Sequence, residues 1–163
     1  MLILKNILFT ILVPGTVTVL VPCWLLTPGY APLPFALGFF RYVGVLFIGI
    51  GGALYVWCLW HFTVSGRGTP VPIDPAEALV VQGPYRWVRN PMYVAVVTVL
   101  LGEALLFEAR LLLVYAAGVF TAFYLFILLY EEPTLRRQFG DGYRRYCNDV
   151  SRWFPWKRLF RGK

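Results

Sequence analysis

Charge is scarce in this chain. Of its 163 residues, 14% are Asp, Glu, Lys or Arg and 59% are hydrophobic, where soluble domains carry about 25% and about 45–50%. That balance excludes a disordered chain, and with a mean hydropathy of +0.66 it excludes an ordinary water-soluble domain. A protein this small cannot hide so much apolar surface in its own core. Histidine is nearly absent, with His61 alone. Cysteine is limited to Cys23, Cys58 and Cys147, with no CxxC and no metal-like Cys/His spacing, so no metal site is expected. Two of these cysteines lie inside apolar runs and read as small buried hydrophobes.

Apolar runs are abundant. The first covers about residues 7–26 and carries Pro14, Gly15 and Pro22. Proline removes a helix hydrogen bond, and membrane helices accept that where neighbours satisfy the freed carbonyls, so a kinked span is expected. The second, about residues 42–62, is uncharged and holds Gly44, Gly49, Gly51 and Gly52, small residues that let helices approach closely in lipid. The third, about residues 91–107, is short and carries Glu103. The fourth, about residues 111–130, is uncharged. The tight join at Glu108-Ala-Arg110 makes the last two an antiparallel hairpin. The fold class expected is therefore all-α: a polytopic integral membrane protein of about four transmembrane helices with a helical hairpin. One domain, 1–163, divides into two N-terminal spans (1–62) and a second part (63–155).

The charge that exists is concentrated at one end. Beyond Pro133 nine basic residues stand against Asp141 and Asp149, which accounts for the whole net charge of +7, and the first 133 residues balance. A basic tail suits nucleic acid or anionic lipid. After so much apolar sequence the lipid bilayer is the partner expected, and nucleic acid is not. Arg67, Arg86 and Arg89 lie in the loop between spans two and three, on the same side as the tail. By the positive-inside rule that side, with both termini, is cytoplasmic. The tail is itself patterned: Tyr143, Tyr146 and Val150 recur at helical spacing after Gly140-Asp-Gly142, as in an amphipathic segment along the membrane surface. Trp153 and Trp156 suit interface anchors.

Two features exceed what a membrane scaffold needs. The loop from Ser65 to Tyr93 holds five prolines, three arginines and three aromatics. Such a stiff loop has less entropy to lose on binding, although snorkelling arginines and belt aromatics would also fill an inert loop. Glu131 and Glu132 end the fourth span, where carboxylates cost free energy unless solvated or paired. Neighbours on a helix point about 100° apart, so one can face a ligand while the other pairs with arginine or faces water. A carboxylate suits a ribose diol, Arg89 a carboxylate, and the faces of Tyr85, Trp87 and Tyr93 a flat base or a sulfonium.

The ordered set Gly83-Pro-Tyr-Arg-Trp-Val-Arg-Asn-Pro-Met-Tyr93, a hydrophobic hairpin, Glu131-Glu132 and Phe139-Gly-Asp-Gly-Tyr-Arg-Arg-Tyr146 resembles the isoprenylcysteine carboxyl methyltransferase and phospholipid methyltransferase superfamily. The resemblance covers roughly residues 63–155. It implies an integral membrane methyltransferase that moves a methyl group from S-adenosylmethionine to a lipophilic or membrane-embedded acceptor. The cofactor contacts it implies are Glu77, Ala78, Leu79 and Val80, then Tyr85, then Asn90, Pro91, Met92 and Tyr93, then Glu131, with Arg89 and Glu132 beside them. Gly66 and Gly68 resemble the family's Gly-x-Gly element. The sequence departs from the pattern twice. Asn90 stands where the family has His, which removes any titrating role there. Ile127 stands where isoprenylcysteine enzymes hold the substrate carboxylate with Arg, so amine, thiol, hydroxyl or other lipid acceptors remain open. No catalytic base stands out; His61 is a candidate because imidazole titrates near neutral pH. Two other readings remain: a nicotinamide-dependent membrane reductase, which the Arg-x-Pro-x-Tyr segment and Tyr146-Cys147 loosely suit, and a non-enzymatic membrane subunit of the same fold.

Overall fold

The computed structural model describes residues 2–27, 32–34, 36–65 and 79–157, and among them the structure is helical, without a β-strand. The helices are α1 (Leu2–Leu12), α2 (Val21–Leu26), α3 (Val43–Ser65), α4 (Pro91–Leu106), α5 (Arg110–Phe126) and α6 (Glu132–Asp149). Three continuous helical stretches, Ile7–Leu26, Gly38–Val64 and Arg110–Asp149, are long and apolar enough to cross a membrane, and Pro91–Leu106 is a shorter apolar helix. The chain is an integral membrane protein of the expected all-α class.

The first span bends as its prolines require. Thr16–Leu20 is a π-helical turn joining α1 to α2, in which the Val21 N–H bonds the Thr16 carbonyl. In that pattern the Val17 carbonyl would be next to accept, but its partner position is Pro22, which has no N–H. Tyr115 of α5 supplies the missing donor, its hydroxyl 3.0 Å from the Val17 oxygen. A neighbouring helix thus satisfies the carbonyl that lipid cannot.

Glycine sets the closest helix pair. Gly44 and Gly51 of α3 are buried against α4, and a Cβ on either would collide with the Gly102 or Ala95 carbonyl oxygen. Gly49 and Gly52 face open space. At the far end of the hairpin, Glu108 turns the chain at φ 50°, and its backbone and side-chain oxygens accept the Leu33 and Leu37 N–H groups at 2.7 and 2.9 Å.

The fourth span does not stop at the paired glutamates. A π-helical turn, Ile127–Glu131, carries it directly into α6. The break expected at Gly140-Asp-Gly142 is there, at Gly140 (φ 50°, ψ −123°).

The packing predicts unequal effects along one helix face pair. Gly44→Ala lowers the thermal midpoint in detergent, by the ~1–3 kcal/mol typical of overpacking. Gly49→Ala is neutral or stabilising, because alanine is the better helix former by about 1 kcal/mol. Equal midpoints for both variants would contradict the assignment of the α3–α4 face.

Candidate active site

The segment before α4 is built to hold one shape. Gly83 has φ 56°, a conformation that costs other residues energy, and the His61 ring lies where a Cβ would sit. A 3-10 turn, Gly83–Arg86, follows with Tyr85 buried. The Tyr146 hydroxyl donates to the Tyr85 carbonyl at 2.7 Å. Burial holds the Tyr85 phenol well above its ordinary pKa, so it stays neutral at physiological pH. Asn90 precedes the helix, and Pro91 opens it, where a missing N–H costs nothing.

One turn into α4, Tyr93 donates its hydroxyl to Glu131 Oε2 at 2.7 Å, and its ring packs on Phe123 at 4.7 Å between centroids. Among the described residues no other group bonds the Glu131 carboxylate. The next residue does something different. Glu132 is 4% exposed and receives Arg152 through two bonds, Nε at 2.8 Å and Nη2 at 3.0 Å. Arg89 lies 3.2 Å and Arg136 3.8 Å away. A π turn ends between them, its last bond running from the Glu132 N–H to the Ile127 carbonyl. The bond to Glu132 raises the pKa of Arg152.

The stretch after α6 straps this assembly down. The Arg89 N–H bonds the Ser151 carbonyl at 2.9 Å. Val88 and Ser151 form a parallel bridge. Asn90 Nδ2 reaches the Arg152 carbonyl at 3.4 Å. Arg89 Nη1 also donates to Cys147 Sγ at 2.7 Å, while its Nε is buried with no partner among the described residues.

Seven of the expected contacts share one cavity of about 140 Å³: Tyr85, Arg89, Asn90, Pro91, Met92, Tyr93 and Glu131. Three do not line it. Val80 is buried behind Tyr85 with Cys58. Leu79 borders a separate open depression with Arg86 and Tyr146. Glu132 is drawn away by its arginines. Glu77 and Ala78, with Gly66 and Gly68, lie outside the described residues. His61 packs on Gly83 and is not in the cavity wall. Ile127 is buried and fully apolar in its role. Sequence reading missed Ser151 and Arg152, which stand in a basic tail with nothing to mark them, and the part that the first span plays in the cavity.

A family model for phospholipid methyltransferases matches residues 39–142. The chain belongs to the phospholipid methyltransferase family. The match runs from the start of the second span into α6, and so takes in the Tyr93–Glu131 pair and Glu132. It leaves out the first span and the Ser151–Arg152 strap. No curated protein matches the chain. Membership supports a membrane methyltransferase in general, in a family whose members generally use S-adenosylmethionine.

The donor set fits such a cofactor. In the cavity, Glu131 offers a carboxylate acceptor, Arg89 Nε a buried donor with no partner among the described residues, and Tyr85 and Tyr93 aromatic rings.

Arg152→Ala leaves Glu132 buried beside weaker partners, and breaking such a pair costs about 3–5 kcal/mol. Denaturant unfolding of Glu132→Ala, Arg152→Ala and the double variant checks this. The double variant loses less than the two single losses added together. Additive losses would mean that the two residues act independently.

Proposed function

We propose that the chain transfers a methyl group from S-adenosylmethionine to a lipophilic, membrane-embedded acceptor at the cavity closed by Tyr93 and Glu131. The observation that carries this is the juxtaposition of one free-facing carboxylate, a buried arginine donor and two phenols, in a chain of the phospholipid methyltransferase family. In this reading the site and both termini face the cytoplasm, as the basic loop and tail favour.

The cofactor, when bound, supplies an electrophilic methyl on a sulfonium. The protein's work is alignment and exclusion of water. Glu131 accepts hydroxyl hydrogen bonds from the ligand, and the Tyr93 bond fixes its rotamer. Arg89 presents Nε to the ligand's carboxylate while Glu132 and Cys147 hold its other end. Asn90, tied to the Arg152 carbonyl, fixes the backbone at the mouth of α4. The faces of Tyr85 and Tyr93 stabilise a cation by cation–π attraction. None of the described groups in the cavity is a strong base, which suits an acceptor whose lone pair is already free, such as a carboxylate or an unprotonated amine; an ammonium, thiol or hydroxyl would need deprotonation.

Calorimetric titration of the detergent-purified protein with S-adenosylhomocysteine tests the reading, with NADPH as comparison. Saturable S-adenosylhomocysteine binding is expected. Glu131→Ala abolishes it with an unchanged unfolding midpoint, and Tyr93→Phe weakens it by about 1 kcal/mol, roughly fivefold. Unchanged affinity in Glu131→Ala sinks the site, and binding of NADPH alone turns the account toward a reductase.

A further inference from the structure

The stretch that follows α6 turns back along the fourth span instead of leaving the molecule. Arg152 lays its guanidinium over the Tyr124 ring, 5.8 Å from the centroid, on its way to Glu132. Trp153 packs on Phe120, with ring centroids 5.0 Å apart. Phe120 lies twelve residues before Glu132, roughly 18 Å along the helix at 1.5 Å per residue. It stands near the middle of the apolar run 111–130. The chain at Trp153 is therefore directed from the level of Glu132 toward the hydrocarbon.

Residues 151–157 form a closed loop. The Lys157 N–H bonds the Ser151 hydroxyl at 3.2 Å, and its ammonium donates to the Cys147 carbonyl at 2.8 Å. The Trp156 N–H bonds the Phe154 carbonyl at 2.8 Å, which turns the chain at Pro155. Ser151 and Lys157 are the base, and residues 153–156 are the tip. Trp153 is spent on α5. The other two tip rings face outward: Phe154 is 55% exposed and Trp156 57%. They pack on each other at 5.0 Å between centroids and present one apolar surface.

Two outward rings at a loop tip gain nothing from water. They suit the bilayer interface, where the body of an aromatic ring meets lipid. The base of the loop carries the opposite character. Arg89, Arg136 and Arg152 share the single carboxylate of Glu132, so this end is positive even with Glu132 ionised. Exposed Lys157 adds a further charge. An apolar tip beside a positive base is complementary to a leaflet with acidic headgroups, which attracts each basic residue within about a Debye length.

We propose that residues 151–157 are a docking loop for an anionic leaflet, and, resting on the methyltransferase reading above, that the docked loop tightens cofactor binding. Phe154 and Trp156 enter the bilayer, while Lys157 and Arg136 meet the headgroups. The link to the cavity is short. Arg152 holds Glu132, and the Ser151 carbonyl holds the Arg89 N–H at 2.9 Å. A loop lifted from the leaflet loosens both contacts at the mouth of α4. The loop lies beyond the residues that match the family model.

The test uses the full chain in phosphatidylcholine vesicles with or without about 30% phosphatidylglycerol, enough to charge the surface. Phe154→Cys and Asn148→Cys are treated with a charged maleimide, and mass spectrometry separates each site from the native cysteines. Both positions are exposed, so unfolding midpoints match the unsubstituted protein. In the anionic vesicles position 154 reacts about tenfold more slowly than 148, as an interfacial side chain does. Lys157→Gln speeds the reaction at 154 about fivefold, the share of one basic residue. Trypsin cleavage after Lys157 gives the same reading without a substitution at the tip, slow in anionic vesicles and fast in phosphatidylcholine alone. S-adenosylhomocysteine binds about fivefold more tightly in the anionic vesicles, and Lys157→Gln shrinks that difference. Equal rates at 154 and 148 would overturn the docking loop. So would rates at 154 that ignore both lipid charge and Lys157→Gln. The two readings fail separately: charge-dependent protection in a protein that binds no S-adenosylhomocysteine keeps the loop and removes the methyltransferase. Binding that ignores lipid charge while the loop is protected overturns the coupling to the cavity.

Discussion

A carboxylate buried at the edge of a bilayer must be neutralised or it destabilises everything around it. Glu132 is that carboxylate, and the arrangement of this end of the molecule follows from satisfying it. Arg152 comes back from beyond α6 to bind it through both oxygens. In doing so it lays Ser151 against the Arg89 backbone and its own carbonyl against Asn90. Arg89 is drawn in from the other side. The segment that opens α4 is thereby fixed between a helix and a strap. Glu131, one residue earlier, is left to face the cavity with Tyr93 as its partner. One carboxylate is held by arginines, and its neighbour faces the cavity.

Lipid imposes the second constraint. Burying apolar groups against one another gains little where the solvent is itself apolar, so close packing and satisfied polar atoms hold the spans together. The α3–α4 pair uses glycine to bring backbones into contact. The first span packs more thinly and is fastened by hydroxyls, Tyr115 to Val17 and Thr10 to Tyr55. A helix held this way can border the cavity without loosening the α3–α4 pair.

The spans were legible in the sequence because hydropathy reports length directly. All four apolar runs recur as helices within a few residues of their expected bounds. The kink in the first span was legible from Pro14 and Pro22, and the need for an outside donor followed from the chemistry of proline. That Tyr115 would be the donor was not, because it depends on which helices meet. The opposed directions of Glu131 and Glu132 followed from helix geometry. The π turn has no sequence signature in Ile127–Glu131, whereas the break in the tail was legible at Gly140-Asp-Gly142. Arg152 was invisible for a different reason. In a tail of nine basic residues nothing local marks the one whose partner lies 20 residues earlier.

The division of labour between the adjacent glutamates is the centre of this account, and it is tested by carrying Glu131→Gln and Glu132→Gln through two readouts side by side. Both substitutions remove a charge and keep the shape. The account predicts that Glu131→Gln loses S-adenosylhomocysteine binding with its thermal midpoint intact. It predicts that Glu132→Gln lowers the midpoint by several kcal/mol of stability, about 3–5 for a broken buried pair, and keeps detectable binding in whatever fraction remains folded. The same pattern in both variants, or the two patterns exchanged, would contradict it.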